Sequence, residues 1–148
     1  GEEKAGRAQN TVKMWSVLAT ALNPSREDYL RKMVGRMATY MQAPGYAEML
    51  IALNEWDNEP LEAFRANKTV SSIAGGIDSV ATLEQLDEIS ALIPDEWLPS
   101  ASGSAEECAL AWKNQLDNGA DGVVIHGSTP EEFAPVVEAY EALKAQAN

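Results

Sequence analysis

The chain has 148 residues, 45% hydrophobic and 23% charged, which is the length and composition of about one globular domain. Eleven Lys and Arg stand against 23 Asp and Glu, a net charge of −12. That balance argues against binding nucleic acid or anionic membrane, and no apolar run approaches the ~18–20 residues of a membrane-spanning helix.

The opening Gly1-Glu2-Glu3-Lys4 is charged and carries no secretory leader pattern. Thr11–Leu22 is a nearly continuous apolar run, the pattern of a parallel strand covered on both faces. Asn23-Pro24 stops it, and Ser25 with Glu27 and Asp28 starts a helix. Tyr29, Leu30, Met33, Val34, Met37 and Met41 continue that helix to about Gln42, with the methionines as core filler. Further helices are predicted over about Tyr46–Asn54 and from Pro60 to near Asn67. Glu55, Trp56 and Asp57 form an acidic-aromatic loop that reads as a packing corner. The stretch Thr69–Ile77 reads as helix and loop, broken by Gly75-Gly76. Thr82–Ile89 is helical, Pro94 closes it, and Trp97-Leu98-Pro99 begins an extended connection.

Ser104-Ala105-Glu106-Glu107 is a capping box that opens a helix carrying Cys108, Ala111, Trp112 and Gln115 and ending at Asn118-Gly119. Gly122–Gly127 is short, β-branched and unalternated, as a buried parallel strand is. Thr129-Pro130-Glu131-Glu132 is a second capping box, and its helix is expected to bury Phe133, Val136, Val137, Tyr140 and Leu143. Helix, strand and helix in close succession place the chain in a helix-rich α/β class with parallel strands.

His126 stands at the end of the last strand, the edge where parallel folds gather ligands, and there it can exchange hydrogen bonds with a substrate or cofactor. It reads equally as a histidine bonded to neighbouring backbone. Gly127 permits close approach, and Ser128 follows it. Glu131 and Glu132 already occupy the adjoining helix dipole, so a phosphate is not expected there. Asn23 lies at the corresponding end of the first strand and reads also as a turn residue. One cysteine and one histidine exclude a disulfide framework, a multi-cysteine zinc site and a histidine-rich metal cluster. Cys108 has no cationic neighbour that would make it a nucleophile, and it fits a reducing, cytoplasmic compartment. No GxGxxG, Walker, GxSxG or HExxH motif occurs.

Asn118–Phe133, with Gly119-Ala120-Asp121-Gly122-Val123 inside it, resembles the last strand and helix of the luciferase-like flavin and deazaflavin oxidoreductases. Gly103-Ser104-Ala105-Glu106-Glu107 resembles that family's preceding helix start. Ala5-Gly6-Arg7 before Val12–Trp15 resembles the approach to a late barrel strand, and Tyr40–Leu50 the helical insert after it. Within the family the chain looks most similar to members that use coenzyme F-420, a deazaflavin.

The resemblance implies the C-terminal portion of a (β/α)8 TIM barrel with its last two or three strands: a late barrel strand over 11–22, a helical insert over 25–98 and a closing helix-strand-helix over 104–146. It implies a fragment of a longer oxidoreductase, inactive alone. That parent would transfer a hydride between coenzyme F-420 or FMN and a small organic substrate, with no metal. His126, Gly127, Ser128 and Asn23 would face cofactor or substrate, and homo-oligomers are expected from uncovered strand edges. The residues also allow a self-contained α/β or mainly helical binding or interaction module, and a half-barrel that dimerises.

Overall fold

Beyond Arg7 and a short irregular approach, the backbone enters the strand on which the sheet is built. The computed structural model describes residues 1–98 and 100–146, with the Ser100 side chain left aside. It shows a helix-rich α/β chain with one three-stranded parallel sheet in the order β2-β1-β3. β1 is Trp15–Leu22, β2 is Ser100–Gly103 and β3 is Gly122–His126. Ala19 pairs with Ser100 and Leu22 with Gly103 on one side of β1, while Trp15 pairs with Gly122 and Ala19 with His126 on the other. Two compact units divide the chain: Gly1–Asn23 with Ser100–Asn148, and Pro24–Pro99.

In the sheet unit, α8 (Ala105–Asp117) and α9 (Pro130–Gln146) pack on one face. Alternation decides which residues meet them: Leu18, Leu22, Ala101, Val123 and Ile125 join Cys108, Ala109, Trp112, Phe133, Val136 and Tyr140 in one core. Trp112 meets Phe133 edge-on at 6.1 Å and Tyr140 at 6.5 Å. Its indole N–H donates to Thr20 Oγ1 at 3.0 Å, both groups being buried. Ser16 Oγ likewise donates to Gln115 of α8 at 2.7 Å.

The helical unit opens with α1 (Arg26–Tyr29), whose first turn is capped by Ser25 Oγ accepting from the Asp28 amide at 3.1 Å. A π-helical turn, Leu30–Val34, carries it into α2 (Gly35–Gln42). Leu30, Met33, Val34, Met37 and Met41 are all buried along this stretch. Then follow α3 (Tyr46–Asn54), α4 (Glu59–Ala66), α5 (Lys68–Ser72), α6 (Ile77–Val80) and α7 (Leu83–Ser90), the last capped reciprocally by Thr82 and Gln85. Ile51, Leu61, Phe64, Ile77, Leu86, Ile89 and Trp97 complete its core. Trp56 stacks on Trp97 at 5.2 Å, so the acidic-aromatic loop is a packing corner.

Four expectations need correction. The first strand begins at Trp15, not Thr11, because Asn10–Met14 is held outside the ladder by carboxylates. Glu2 accepts from the Asn10 and Val12 amides at 2.7 and 2.6 Å, and Asp121 from the Met14 amide at 2.9 Å. Nor are β1 and β3 covered on both faces throughout: Trp15 and Val17 are exposed, as is Val124, and burial is complete only over Leu18–Ala21. In α9, Val137 faces solvent while Val136 takes the core position. The extended connection predicted from Trp97 is instead a 3-10 turn, Asp95–Trp97, followed by a strand from Ser100; Pro99 lies outside the described residues.

Thr20→Val preserves side-chain shape but leaves the Trp112 N–H buried without its acceptor. A denaturant titration is expected to show a loss of ~1–3 kcal/mol, and an unchanged midpoint would contradict this packing. In the helical unit, Arg65 donates to Glu48 at 2.5 Å, and with the amides of Glu48 and Gly45 it holds the carboxyl at about 2. A depressed carboxyl stabilises the fold above its ordinary value of 4.5, and that contribution disappears as pH falls to about 2. Arg65→Ala is therefore expected to flatten acid unfolding between those two pH values, followed by circular dichroism.

Candidate functional site

Parallel pairing sends every strand of this sheet out at one edge, and the exits of all three strands lie in the sheet unit. β1 ends at Leu22, and Asn23 after it is exposed and left-handed at φ 43°, its N–H donating to Gly103 O at 2.7 Å. β2 ends at Gly103, with φ 119°. A Cβ at Gly103 would run into the Glu107 carboxylate, so glycine is required both for the turn and for the space. Ser104 then caps α8: its Oγ accepts from the Glu107 amide at 3.2 Å, and Glu107 accepts from the Ser104 amide at 2.7 Å.

β3 ends at His126, followed by the exposed Gly127 at φ 95°. Ser128 Oγ donates to Thr20 O at 2.9 Å, tying the β3 exit to β1. Thr129 caps α9, and Glu132 accepts from the Thr129 amide at 2.7 Å. His126 is half-buried and, by alternation with Val123 and Ile125, lies on the face away from α8 and α9. The edge thus gathers Asn23, His126, Gly127 and Ser128, and adds Gly103. The sequence reading named Gly103 only as the residue before a helix start and missed its place at a strand end, because Ser100-Ala101-Ser102 lacks an apolar signature. A glycine set directly before a capping box, as Gly127-Ser128 stands before the second one, was the available signal.

Charge at this edge is negative. Glu106 and Glu131 are held below the usual carboxylate range, each by its own backbone amide first and then by the capping hydroxyl, of Ser104 and Thr129 respectively. Both helix starts have capping amides engaged by side chains of this chain, so they offer little to a phosphate. Cys108 is buried beneath the edge, its sulfur 3.8 Å from Gly103 O and 3.9 Å from Ala21 O, and burial pushes its thiol up. That suits packing and not nucleophilic attack. Among the described residues no group of His, Cys, Asp and Glu could hold a metal ion, and no helix is long and apolar enough to cross a membrane.

A cleft of about 880 Å³ lies at the opposite, amino edge, beside Glu2, Arg7, Asn10, Lys13 and Asp121. Its carboxylates are engaged structurally, Glu2 by backbone amides and Asp121 by Lys13 at 2.7 Å. The carboxyl edge thus carries one imidazole, one hydroxyl that donates to Thr20 O, one amide side chain and two glycines at positive φ. Comparison with protein-family models, curated proteins and solved structures finds no match to this chain.

Gly103→Ala is expected to cost ~1–3 kcal/mol through backbone strain and displacement of Glu107, read as a fall in Tm of roughly 3–10 °C. A Tm that holds or rises would contradict the turn described.

Proposed function

We propose that the chain belongs to a luciferase-like hydride-transfer enzyme, as the part of its barrel that carries the last strands, using coenzyme F-420 or FMN on a small organic substrate. The observation that carries the reading is His126 at the carboxyl end of a parallel strand, on the sheet face free of α8 and α9, with the Gly127-Ser128 turn beside it. Barrel enzymes work from that end of their strands. Both helices of the sheet unit cover one face; on the other, Trp15, Val17 and Val124 are exposed, and Ala19 and Ala21 nearer the carboxyl end are buried.

The groups present suit a planar ring system and a small substrate; the engaged helix starts do not suit the cofactor's phosphate, which falls to residues elsewhere in the parent enzyme. When bound, the cofactor supplies the hydride chemistry. In this reading His126 and Ser128 orient ring or substrate by hydrogen bonds, Asn23 flanks them, and Gly127 lets the bound molecule approach the backbone.

The strand order favours a second reading. A barrel segment runs β1-β2-β3 in space, whereas here β1 lies between the other two. An open, doubly wound sheet has this reversal, and its ligand crevice falls where the order switches, between the carboxyl ends of β1 and β3. Under that reading the same Asn23–His126–Ser128 edge belongs to a non-enzymatic binding or interaction module.

His126→Ala in the parent enzyme is expected to lower kcat/KM by roughly 10–100-fold, ~1.4–2.7 kcal/mol of transition-state stabilisation, with Tm nearly unchanged. Unaltered turnover together with a fall in stability would make His126 a packing residue and remove the enzymatic reading.

A further inference from the structure

We propose that Asn118 is a site of spontaneous covalent modification, its side chain closing onto the Gly119 nitrogen as an imide that water opens to aspartate or iso-aspartate. This stands apart from the proposed reaction and from the carboxyl edge. Of the eight asparagines in the chain, Asn118 alone is followed by glycine. Ring closure needs the next residue's nitrogen to reach the asparagine side chain, and a Cβ on that residue stands in the way. At Gly119 the space is open: a Cβ there would meet nothing within 4 Å, and φ is 100°.

Asn118 is exposed, and among the described residues its side-chain amide has no hydrogen-bond partner. Asp121, which is also followed by glycine, differs: its carboxylate is held by Lys13 at 2.7 Å and by the Met14 amide at 2.9 Å. Asn23 is followed by proline, whose nitrogen carries no proton to lose.

The step balances with water as its one added reagent. The Gly119 nitrogen loses its proton and forms a bond to the Asn118 side-chain carbon. The bond from that carbon to Nδ2 breaks, and Nδ2 leaves with the proton as ammonia. Water then adds to either imide carbonyl.

The end of α8 sets the rate. Asn118 is its C-cap at φ −81° and ψ 7°, and the Gly119 N–H donates to Leu116 O at 2.9 Å. The amide must leave that bond before it can attack, so the reaction runs through molecules whose last turn is open. Only Ala120 and Asp121 separate Gly119 from β3. Iso-aspartate adds a main-chain carbon to this short connection. Either product adds a negative charge beside Asp117, at the negative end of the α8 dipole.

Incubation of the chain in warm, mildly alkaline buffer is expected to release ammonia and to raise the mass of the peptide holding Asn118, and of no other, by about 1 Da. Asn118→Ser is expected to remove that release with unchanged circular dichroism. Unfolding in urea is expected to speed the reaction roughly 10-fold, because α8 no longer holds the Gly119 amide. An Asn118 that stays intact in the folded chain after the unfolded chain has reacted fully would overturn the proposal. So would a mass gain that appears first at another asparagine, and equal rates with and without urea would overturn the control by α8.

Discussion

Thr20 holds the sheet unit together through two different atoms. Its side chain takes the Trp112 N–H from α8, and its carbonyl takes the Ser128 hydroxyl from the turn before α9. It sits fully buried in the central strand, paired with Ala101 of β2. A buried hydroxyl costs stability unless it is bonded, and here the bond is made by the largest side chain of the facing core. The consequence is positional: α8 is fixed over β1, and the loop after β3 is drawn back against the same strand. The carboxyl edge owes its order to that arrangement, since Asn23, Gly103 and Ser128 all close onto β1 or its neighbour.

The two faces of the sheet then take different roles. One is a core sealed by Leu18, Ala101, Cys108, Trp112 and Val136. The other presents Trp15, Val17 and Val124 to solvent near the amino end of the sheet and His126 near the carboxyl end. Apolar surface of this extent on a sheet needs a partner layer or partner strands. Acidity completes the picture: Glu106, Glu107, Glu131 and Glu132 sit at the two helix starts and satisfy their amides locally. Both helix starts therefore offer few free amides to a phosphate.

Much of this was legible in the sequence where periodicity and caps are strong. Leu30, Met33, Val34, Met37 and Met41 announced one buried helical face, though nothing in their spacing foretold the π turn at Leu30–Val34. The two capping boxes marked the starts of α8 and α9 to the residue. β3 was evident from Val123-Val124-Ile125, and its parallel pairing with β1 follows from the helices around it. β2 was invisible. Ser100–Gly103 has no β-branched or aromatic residue, and it is a strand because β1 offers it a ladder, which is tertiary context overriding propensity. The start of β1 was misjudged for a related reason: Val12 and Met14 look like strand residues, but Glu2 and Asp121 bind the backbone that would pair. At the carboxyl edge, the positions of Asn23, His126, Gly127 and Ser128 at strand ends were legible from the sequence, whereas Gly103 was legible only as the residue before a helix start, because its strand was not.

Strand order is the feature on which the competing readings of this chain part, and both the carboxyl edge and the apolar face depend on β1 lying directly beside β3. Val17 and Val124 are register partners on the exposed face. Adjacent strands lie ~4.8 Å apart, within reach of a disulfide, while strands separated by a third lie about twice that, beyond its ~7 Å limit. The direct measurement is oxidation of a chain carrying Val17→Cys and Val124→Cys in a Cys108→Ala background, followed by mass spectrometry and thiol counting. The central position of β1 predicts rapid formation of an intramolecular disulfide between the two introduced cysteines, with the fold retained. Two thiols that stay free, or that link only between chains, would contradict it.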